Sequence, residues 1–245
     1  MSDLRNQVVW NRLISIVEEQ ALTLVRIAFS TSVREAGDLS AGVFDADGRM
    51  VAQAVTGTPG HVNTMAAAVG NFIEDIGRDR IFEGDAYVTN DPWKGTGHLH
   101  DFTVVTPTFR AGRLIGFFAC TAHVLDVGGN GYGPDSRDVH EEGLLVPIMK
   151  FAERGDVNRD LVNIVRHNVR EADQVVGDLH SLAACNDTGL RRLEDMLDEF
   201  DLDDLAALDV DGRQIAGIIL GRALYEGTVD LADAVRRLST VGDGG

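Results

Sequence analysis

The sequence predicts an α+β fold, with a mixed sheet and helices in about the first 150 residues and an all-helical C-terminal region. Two observations support this expectation. Up to about residue 150, apolar residues occur in short alternating or continuous runs, as in strands, and from about Asp160 they recur with helical spacing. We therefore predict a mixed α/β domain at residues 1–155 and a helical region at residues 156–245.

The elements of the first region follow from local patterns. Residues 4–29 have apolar positions spaced as in one long amphipathic helix. A hairpin follows, with strands at residues 42–44 and 50–52 around the turn sequence DADG. The stretch HVNTMAAAVGNFIEDI predicts a helix, and DAYVTNDP and DFTVVTPTF predict strands. A second hairpin turn, AGR, leads into LIGFFACTAHVLDVGG, whose nearly continuous apolar run is typical of a buried strand.

The second region begins after a glycine-rich stretch. The sequence VGGNGYGPDSRDVHEEG indicates a long, mobile loop of the kind that closes over a site. Residues from about Asp160 to Phe200 then predict two helices, broken near Gly177 or at residues 186–189. We expect the helical pattern to continue from DLDDLAALDVDG to the end, with several glycines as weak points.

Composition excludes several classes of protein. A formal charge of −17 disfavours nucleic acid as a partner, because a phosphate backbone would be repelled. The N-terminus lacks a secretory signal pattern, and no stretch approaches the roughly 18 apolar residues of a membrane span. Cys120 and Cys185 are far apart in apolar contexts, which favours buried free thiols in a reducing compartment. We therefore expect a cytoplasmic protein.

Polar residues occur where core residues would be expected. His98 and Asp101 are three residues apart on a turn after GTG, His123 lies within the apolar FFACTAHVL, and Asp126 follows in LDVGG. Asp38 stands immediately before a predicted strand. Imidazole nitrogens and carboxylate oxygens suit Zn²⁺, Mn²⁺ or Fe²⁺, and the lack of nearby thiolates argues against a closed structural zinc site.

Each of these residues alone has an ordinary alternative. A histidine in a strand can be a hydrogen-bonded core residue, and HxxD on a turn occurs by chance. His100 could point to solvent. His61, in the loop TGTPGHVN, suits either a substrate-facing position or a capping or surface position. The remaining histidines are expected on the surface: His140, His167 and His180. No GxxxxGK[ST] motif or serine nucleophile elbow is present in the sequence.

Several motifs together resemble the hydantoinase B/oxoprolinase family. The matching stretches are REAGDLSAGVFDADGRMVAQA, HVNTM, GDAYVTNDPWKGTGHLHDFTVVTP, AHVLDVGG and EEGLLVPIMK, with a looser match over LVNIVRHNVREADQVVGDLHSLAACNDTGLRRL. The family includes B-type subunits of ATP-dependent hydantoinases, the C-terminal part of 5-oxoprolinases, and subunits of acetone and acetophenone carboxylases. The resemblance implies that this chain corresponds to only the N-terminal half of such a subunit.

The resemblance also implies a ligand set for a divalent metal. The family's HLxD element falls on His98 and Asp101, the histidine of its AHxxD element on His123, and the aspartate before its first strand on Asp38. These are the residues that already stand out by their polarity.

Other family positions imply catalytic roles. Asp126 and His61 match residues that line the family's pocket, and we expect them to be catalytic. Glu142 lies in the family's EGL element, for which the resemblance gives no chemistry.

The function that the resemblance implies requires two chains. A hydantoinase A-like partner uses ATP and Mg²⁺ to activate an amide or enol oxygen, and the B-type subunit supplies the metal (Zn, Mn or Fe). We expect the metal-binding catalytic subunit of a hetero-oligomeric, ATP-dependent cyclic-amide hydrolase that opens hydantoin or 5-oxoproline rings. Two alternatives stay open: a subunit of an acetone- or acetophenone-type carboxylase acting on a ketone, and an inactive or structural fragment.

Overall fold

A computed structural model of the chain describes residues 3–131, 133–205, 209–210 and 213–214. Its strands are β1 (Leu39–Asp45), β2 (Met50–Gln53), β3 (Ala86–Thr89), β4 (Asp101–Arg110), β5 (Arg113–His123), β6 (Met149–Glu153) and β7 (Asp156–Val157). They form one seven-stranded sheet in the order β2-β1-β5-β4-β3-β6-β7. Every neighbouring pair is antiparallel, so the expected mixed sheet is wrong in strand direction. Hairpins connect β1 to β2, β4 to β5 and β6 to β7, and hairpins make antiparallel pairs.

The helices are α1 (Asp3–Ile27), α2 (Thr31–Arg34), α3 (Pro59–Ile76), α4 (Val139–Glu142), α5 (Arg159–Asn168) and α6 (Ala172–Glu199), with a 3₁₀ turn at Arg78–Arg80. The predicted long N-terminal helix, the hairpin at the DADG turn and the helix at HVNTMAAAVGNFIEDI are confirmed. The predicted strands before and after the AGR turn are confirmed as β4 and β5. Within the described residues, no helix is long and apolar enough to cross a bilayer.

Both faces of the interior strand β5 are covered. Phe118 and Cys120 face α1 and α6, and Phe117 and Ala119 face α3. This alternation is the period of two that a strand imposes on its side chains. Two covered faces explain why the β5 sequence is a nearly continuous apolar run. They also define an α3 face of the sheet, to which the polar residues described below belong.

Buried polar side chains tie the helices to the sheet. Gln20 of α1 donates from Nε2 to Asn186 Oδ1 at 2.7 Å and to Ala119 O at 3.1 Å. Asn186 of α6 donates from Nδ2 to Val104 O at 3.1 Å. Both side chains are completely buried, so these hydrogen bonds offset the cost of removing amide groups from water. Cys120 and Cys185 are buried free thiols, as predicted.

Helix α6 is continuous through the glycines that were predicted to break it. A Cβ on Gly177 would lie 2.5 Å from the Phe29 ring, and a Cβ on Gly189 would lie 2.6 Å from the Phe118 ring. The glycines therefore allow aromatic rings to approach the helix closely and do not end it. The break between helices lies earlier, between Asn168 at the end of α5 and Ala172 at the start of α6.

The C-terminal part of the chain differs from the expected helical region in two places. The predicted boundary at residue 155 falls in the β6–β7 hairpin, and α6 residues share a core with the sheet. Beyond residue 205, Asp209–Val210 and Arg213–Gln214 pair as antiparallel strands β8 and β9, where a helix was expected. The DVDGRQ sequence places a turn-favouring Asp-Gly between these strands. The helix predicted over residues 215–245 lies outside the described residues, so the division into residues 1–155 and 156–245 stays a prediction.

We expect Gly189→Ala to lower the free energy of unfolding by about 1–3 kcal/mol, because the added methyl overlaps a ring in a packed core. Gly70→Ala is the matched control. Gly70 is exposed within α3, and a Cβ there would meet nothing within 4 Å, so this change should raise stability by up to about 1 kcal/mol. Urea denaturation followed by circular dichroism measures both. Equal effects of the two substitutions would contradict the packing role of Gly189.

Candidate metal centre

The centre lies at one end of the sheet, where the N-terminal ends of β1 and β4 flank the C-terminal end of β5. Asp101, the first residue of β4, lies directly opposite His123, the last residue of β5. On the other side of β5, Leu39 pairs with Ala122, so Asp38 lies beside His123, and the backbone carbonyl of Asp38 accepts the backbone N–H of His123 at 3.1 Å. Asp101 and His123 also occupy the α3 face of the sheet, because they lie four residues from Val105 and Ala119 on that face.

Helix α3 adds a further histidine from its first turn. His61 Nε2 lies 3.1 Å from Asp101 Oδ2 and 3.8 Å from Asp38 Oδ1. The loop before α3 is fixed to the start of β1, since Thr58 donates its hydroxyl to Asp38 Oδ1 at 2.7 Å and its N–H to Leu39 O at 2.7 Å. His61 is therefore buried inside the cluster and is not a surface histidine.

Three imidazoles surround the carboxylate of Asp101. His98 Nε2 lies 3.1 Å and His123 Nδ1 lies 3.2 Å from Asp101 Oδ1, while His61 contacts Oδ2. The rings of His98 and His123 have centroids 5.0 Å apart. Asp101 itself is only 1 % exposed. The structure thus brings together the four residues predicted as metal ligands and one of the two predicted as catalytic.

The imidazoles control the charge of this carboxylate. Burial alone would raise the pKa of Asp101, but hydrogen bonds from His123, His61 and His98 outweigh burial and hold the pKa far below its usual range. The same contact raises the pKa of His98, because the Asp101 carboxylate accepts a hydrogen bond from its ring. Asp101 is therefore ionised at any pH at which the protein would work.

His100 also belongs to the centre, contrary to the expectation that it points to solvent. It is 5 % exposed, and its ring stacks on His123 with centroids 5.1 Å apart and planes 8° apart. Burial, followed by the neighbouring His123 and His98, lowers the pKa of His100. The expectation assumed the alternation of a strand, but residues 97–100 form a turn and β4 begins only at Asp101.

Glu142 reaches the centre from the segment that was predicted to be a long loop. Its Oε1 accepts the N–H of Leu99 at 2.8 Å and lies 3.8 Å from His98 Nδ1 and 3.7 Å from His100 Nδ1. The resemblance pointed to the EGL element without a role for Glu142. The structure places this carboxylate against two histidines.

Asn90 is a buried residue that sequence reasoning missed. It donates from Nδ2 to Leu99 O at 2.7 Å and to Leu144 O at 2.9 Å, and it accepts the N–H of Val146 at 2.6 Å. One amide therefore joins the histidine turn to the chain that follows Glu142. An Asn-Asp-Pro sequence suggests only a turn, so nothing local in the sequence indicates this role.

Asp126 has a different environment from the other predicted site residues. Its carboxylate accepts from Arg170 Nη1 at 2.8 Å, from the Gly128 N–H at 3.1 Å, and from the backbone N–H of Arg170. Hydrogen bonds from Arg170 and Gly128 overcome the effect of burial and lower the pKa of Asp126. Asp126 therefore fixes the start of the glycine-rich segment through Arg170, and its catalytic role stays a prediction.

The donor atoms at the centre fit a divalent cation. One set of atoms, from His98, Asp101 and His123, lies within 4.8 Å of one another, and so does a second set from His98, His100 and Glu142. Nitrogen and carboxylate donors in this number suit Zn²⁺, Mn²⁺ or Fe²⁺. The carboxylates of Asp38 and Asp101 lie 3.8 and 3.1 Å from the same His61 nitrogen, and a cation would relieve the repulsion between them.

Comparisons with known proteins agree with the sequence motifs. The chain is 29 % identical over 237 residues to the beta chain of caprolactamase from Pseudomonas jessenii, covering 93 % of this chain and 40 % of that one. It is 28 % identical over 234 residues to a 5-oxoprolinase of Dictyostelium discoideum, covering 94 % and 18 %. The chain thus spans well under half the length of these relatives.

Two solved structures share the fold. The ATP-dependent caprolactamase from Pseudomonas jessenii matches with a TM-score of 0.76 and 29 % identity, over 85 % of this chain and 36 % of that one. Nucleotide-free acetone carboxylase matches with a TM-score of 0.72 and 25 % identity, over 79 % and 26 %. The sequence profile described as hydantoinase B/oxoprolinase matches residues 3–210, and the chain belongs to this family.

Proposed function

We propose that this chain is the metal-binding catalytic subunit of an ATP-dependent cyclic-amide hydrolase. The observation that carries the proposal is the buried Asp101 carboxylate with His98, His123 and His61 around it at 3.1–3.2 Å. Relatives named as 5-oxoprolinase, caprolactamase and hydantoinase support the substrate class, since each of those names refers to a cyclic amide.

In this proposal, His98, Asp101 and His123 hold the cation, with Asp38 beside them. When bound, the cation supplies Lewis acidity that polarises a substrate oxygen and favours ionisation of water near neutral pH. Asp101 and His123 face each other across a strand pair, so the sheet fixes their separation before any ligand arrives. Preformed donors of this kind lower the cost of organising a binding site.

His61 has a supporting role that its contacts define. Its Nε2 lies 3.1 Å from Asp101 Oδ2 and 3.8 Å from Asp38 Oδ1, so a proton on Nε2 would hold the Asp101 carboxylate in place, with the Asp38 carboxylate nearby. The other oxygen, Asp101 Oδ1, would be the one beside the cation, since it lies 3.1 Å from His98 Nε2 and 3.2 Å from His123 Nδ1. The same proton is the one that His61 could transfer during ring opening. For Asp126, the contacts with Arg170 favour a positioning role over a catalytic one.

The proposed partner is a hydantoinase A-like ATPase, which uses ATP and Mg²⁺ to activate the amide oxygen. Two relatives are named as single subunits of larger enzymes, one of a caprolactamase and one of a hydantoinase, and these names support assembly with a second type of chain. The absence of a phosphate-binding motif from this sequence agrees with that division of labour.

A carboxylase subunit is the second candidate function. The match to acetone carboxylase, with a TM-score of 0.72, favours it. The same donor set would then orient an activated ketone and carbon dioxide instead of an amide and water. The two functions differ in their product, which is a carboxylated ketone in one case and an opened ring in the other.

We expect the purified chain to retain a divalent metal that His123→Ala loses, because the substitution removes one donor from the centre. The control is His140→Ala, which changes an exposed histidine of α4. Elemental analysis after dialysis measures the metal content, and circular dichroism checks folding. Equal metal content in the two variants would remove His123 from the centre.

Metal removal should also lower thermal stability. A cation at about 100 times its dissociation constant stabilises the folded state by about 2.7 kcal/mol if it does not bind the unfolded chain. We expect chelation to lower the Tm of the native chain and of His140→Ala, and to leave that of His123→Ala nearly unchanged. A chelator-insensitive Tm in the native chain would count against a cation at this centre.

With a hydantoinase A-like ATPase, we expect ATP-dependent ring opening of 5-oxoproline, hydantoin or caprolactam, measured by mass spectrometry of products and release of ADP. His123→Ala should reduce this rate by about 100-fold or more, and His140→Ala should not. A carboxylated product from acetone would favour the second candidate. No turnover of any substrate, from a chain that binds metal, would indicate a fragment without its own activity.

A further inference from the structure

Thr58 occupies the N-cap position of α3, and its hydroxyl binds a carboxylate of the metal centre. A threonine at an N-cap usually accepts a hydrogen bond from a backbone N–H of the first helical turn. Among the residues that the structure describes, no N–H of α3 donates to this hydroxyl, which instead donates to Asp38 Oδ1 at 2.7 Å. A side chain that would ordinarily stabilise the start of its own helix is thus directed at the centre.

The two oxygens of the Asp38 carboxylate consequently have different surroundings. Oδ1 accepts the Thr58 hydroxyl and lies 3.8 Å from His61 Nε2. Oδ2 lies 3.9 Å from His123 Nδ1. Asp101 shows the same division, since its Oδ2 lies 3.1 Å from His61 Nε2 and its Oδ1 lies 3.2 Å from His123 Nδ1. Each carboxylate therefore has one oxygen beside α3 and the other beside His123.

The two α3 side chains act from one place in the fold. Thr58 and His61 are three residues apart, so they lie on the same side of the first helical turn. The N-terminal end of a helix also carries partial positive charge, which favours nearby carboxylates. The start of α3 therefore offers a hydroxyl to Asp38 and an imidazole to Asp101, in a field that suits both.

The loop before α3 fixes the position of Thr58. Its N–H donates to Leu39 O at 2.7 Å, and its carbonyl accepts the Ser40 hydroxyl at 3.3 Å, so the loop is bonded to the start of β1. Two residues earlier, the N–H of Thr56 donates to the Glu18 carboxylate of α1 at 3.1 Å. The Thr58 hydroxyl is thus held in place before any ligand arrives, and a preformed donor costs little free energy to use.

The backbone of Asp38 is fixed, but its side chain depends on Thr58. The Asp38 N–H donates to Ser32 O at 3.1 Å, and the Asp38 carbonyl accepts the N–H of His123 at 3.1 Å. The Asp38 side chain is nevertheless 35 % exposed, so packing alone leaves it room to rotate. Ordering a free side chain on binding costs conformational entropy, and the hydrogen bond from Thr58 removes part of that cost in advance.

We propose that Thr58 is a positioning residue for Asp38. Its hydroxyl holds Oδ1 and so presents Oδ2 to the centre, as His61 holds one oxygen of Asp101 and leaves the other. This inference rests on the metal centre proposed above, and it adds Asp38 to the ligands of that centre through Oδ2.

Zinc titrations of the metal-free full chain, in competition with a chromophoric chelator, test this role. Thr58→Val replaces the hydroxyl with a methyl group of similar shape, and we expect its Zn²⁺ affinity to fall about tenfold, since lost partners of metal ligands typically have effects of this size. Thr58→Ser keeps the hydroxyl and should restore the native affinity. Thr56→Val is the matched control, because Thr56 lies in the same loop but donates its hydroxyl to Glu18. It should bind Zn²⁺ as the native chain does.

Two further measurements separate positioning from a structural role. Water can replace the Thr58 hydroxyl at the partly exposed Asp38 carboxylate, so metal-free Thr58→Val should unfold at the same urea concentration as the metal-free native chain. In an Asp38→Ala background, which keeps the donors of His98, Asp101 and His123, Thr58→Val should cause no further loss of Zn²⁺ affinity. The hydroxyl then has no ligand to hold, so the two substitutions should not add.

The outcomes distinguish a failure of this inference from a failure of the metal centre. Native Zn²⁺ affinity in Thr58→Val, or equal losses in Thr58→Val and Thr58→Ser, would overturn the role of the hydroxyl and leave the centre standing. The same loss in the Asp38→Ala background would overturn it too, because the effect would not pass through Asp38. Lower stability of metal-free Thr58→Val would make the role structural. No Zn²⁺ binding by the native chain would remove the centre itself, and this inference with it.

Discussion

Asp101 carries an ionised carboxylate at 1 % exposure, a combination that costs several kcal/mol unless nearby groups compensate it. His98, His123 and His61 provide that compensation at 3.1–3.2 Å, and they come from a turn, a strand end and the first turn of a helix. The sheet brings them together because β5 lies between β1 and β4, with its C-terminal end beside the N-terminal ends of both. The antiparallel order of these three strands is thus a condition for the site.

The fold was largely predictable where local pattern decides structure. Amphipathic spacing predicted α1, the stretch HVNTMAAAVGNFIEDI predicted α3, and the DADG and AGR turns predicted two hairpins. The prediction failed where distant residues decide. Gly177 and Gly189 indicate helix breaks by propensity, but they adjoin the rings of Phe29 and Phe118, which are far away in sequence. The strand directions across the whole sheet likewise could not be predicted from any single segment of the sequence.

The site was predictable only in those parts that a local sequence pattern indicates. His123 stands out as a polar residue in an apolar strand, and the hairpin at Ala111–Gly112 brings the start of β4 opposite it, where Asp101 lies. His100 was misjudged because a turn precedes β4 and strand alternation does not apply there. Glu142 is 43 residues from Leu99, and the hydrogen bond between them has no local signature.

The most direct measurement is a crystal structure of the chain grown with Zn²⁺ or Mn²⁺, with data collected at the absorption edge of the metal. We expect an anomalous peak about 2.0–2.2 Å from His98 Nε2, an Asp101 oxygen and a His123 ring nitrogen. Crystals that contain the metal only at surface carboxylates, with no peak beside Asp101, would contradict a metal centre at this end of the sheet.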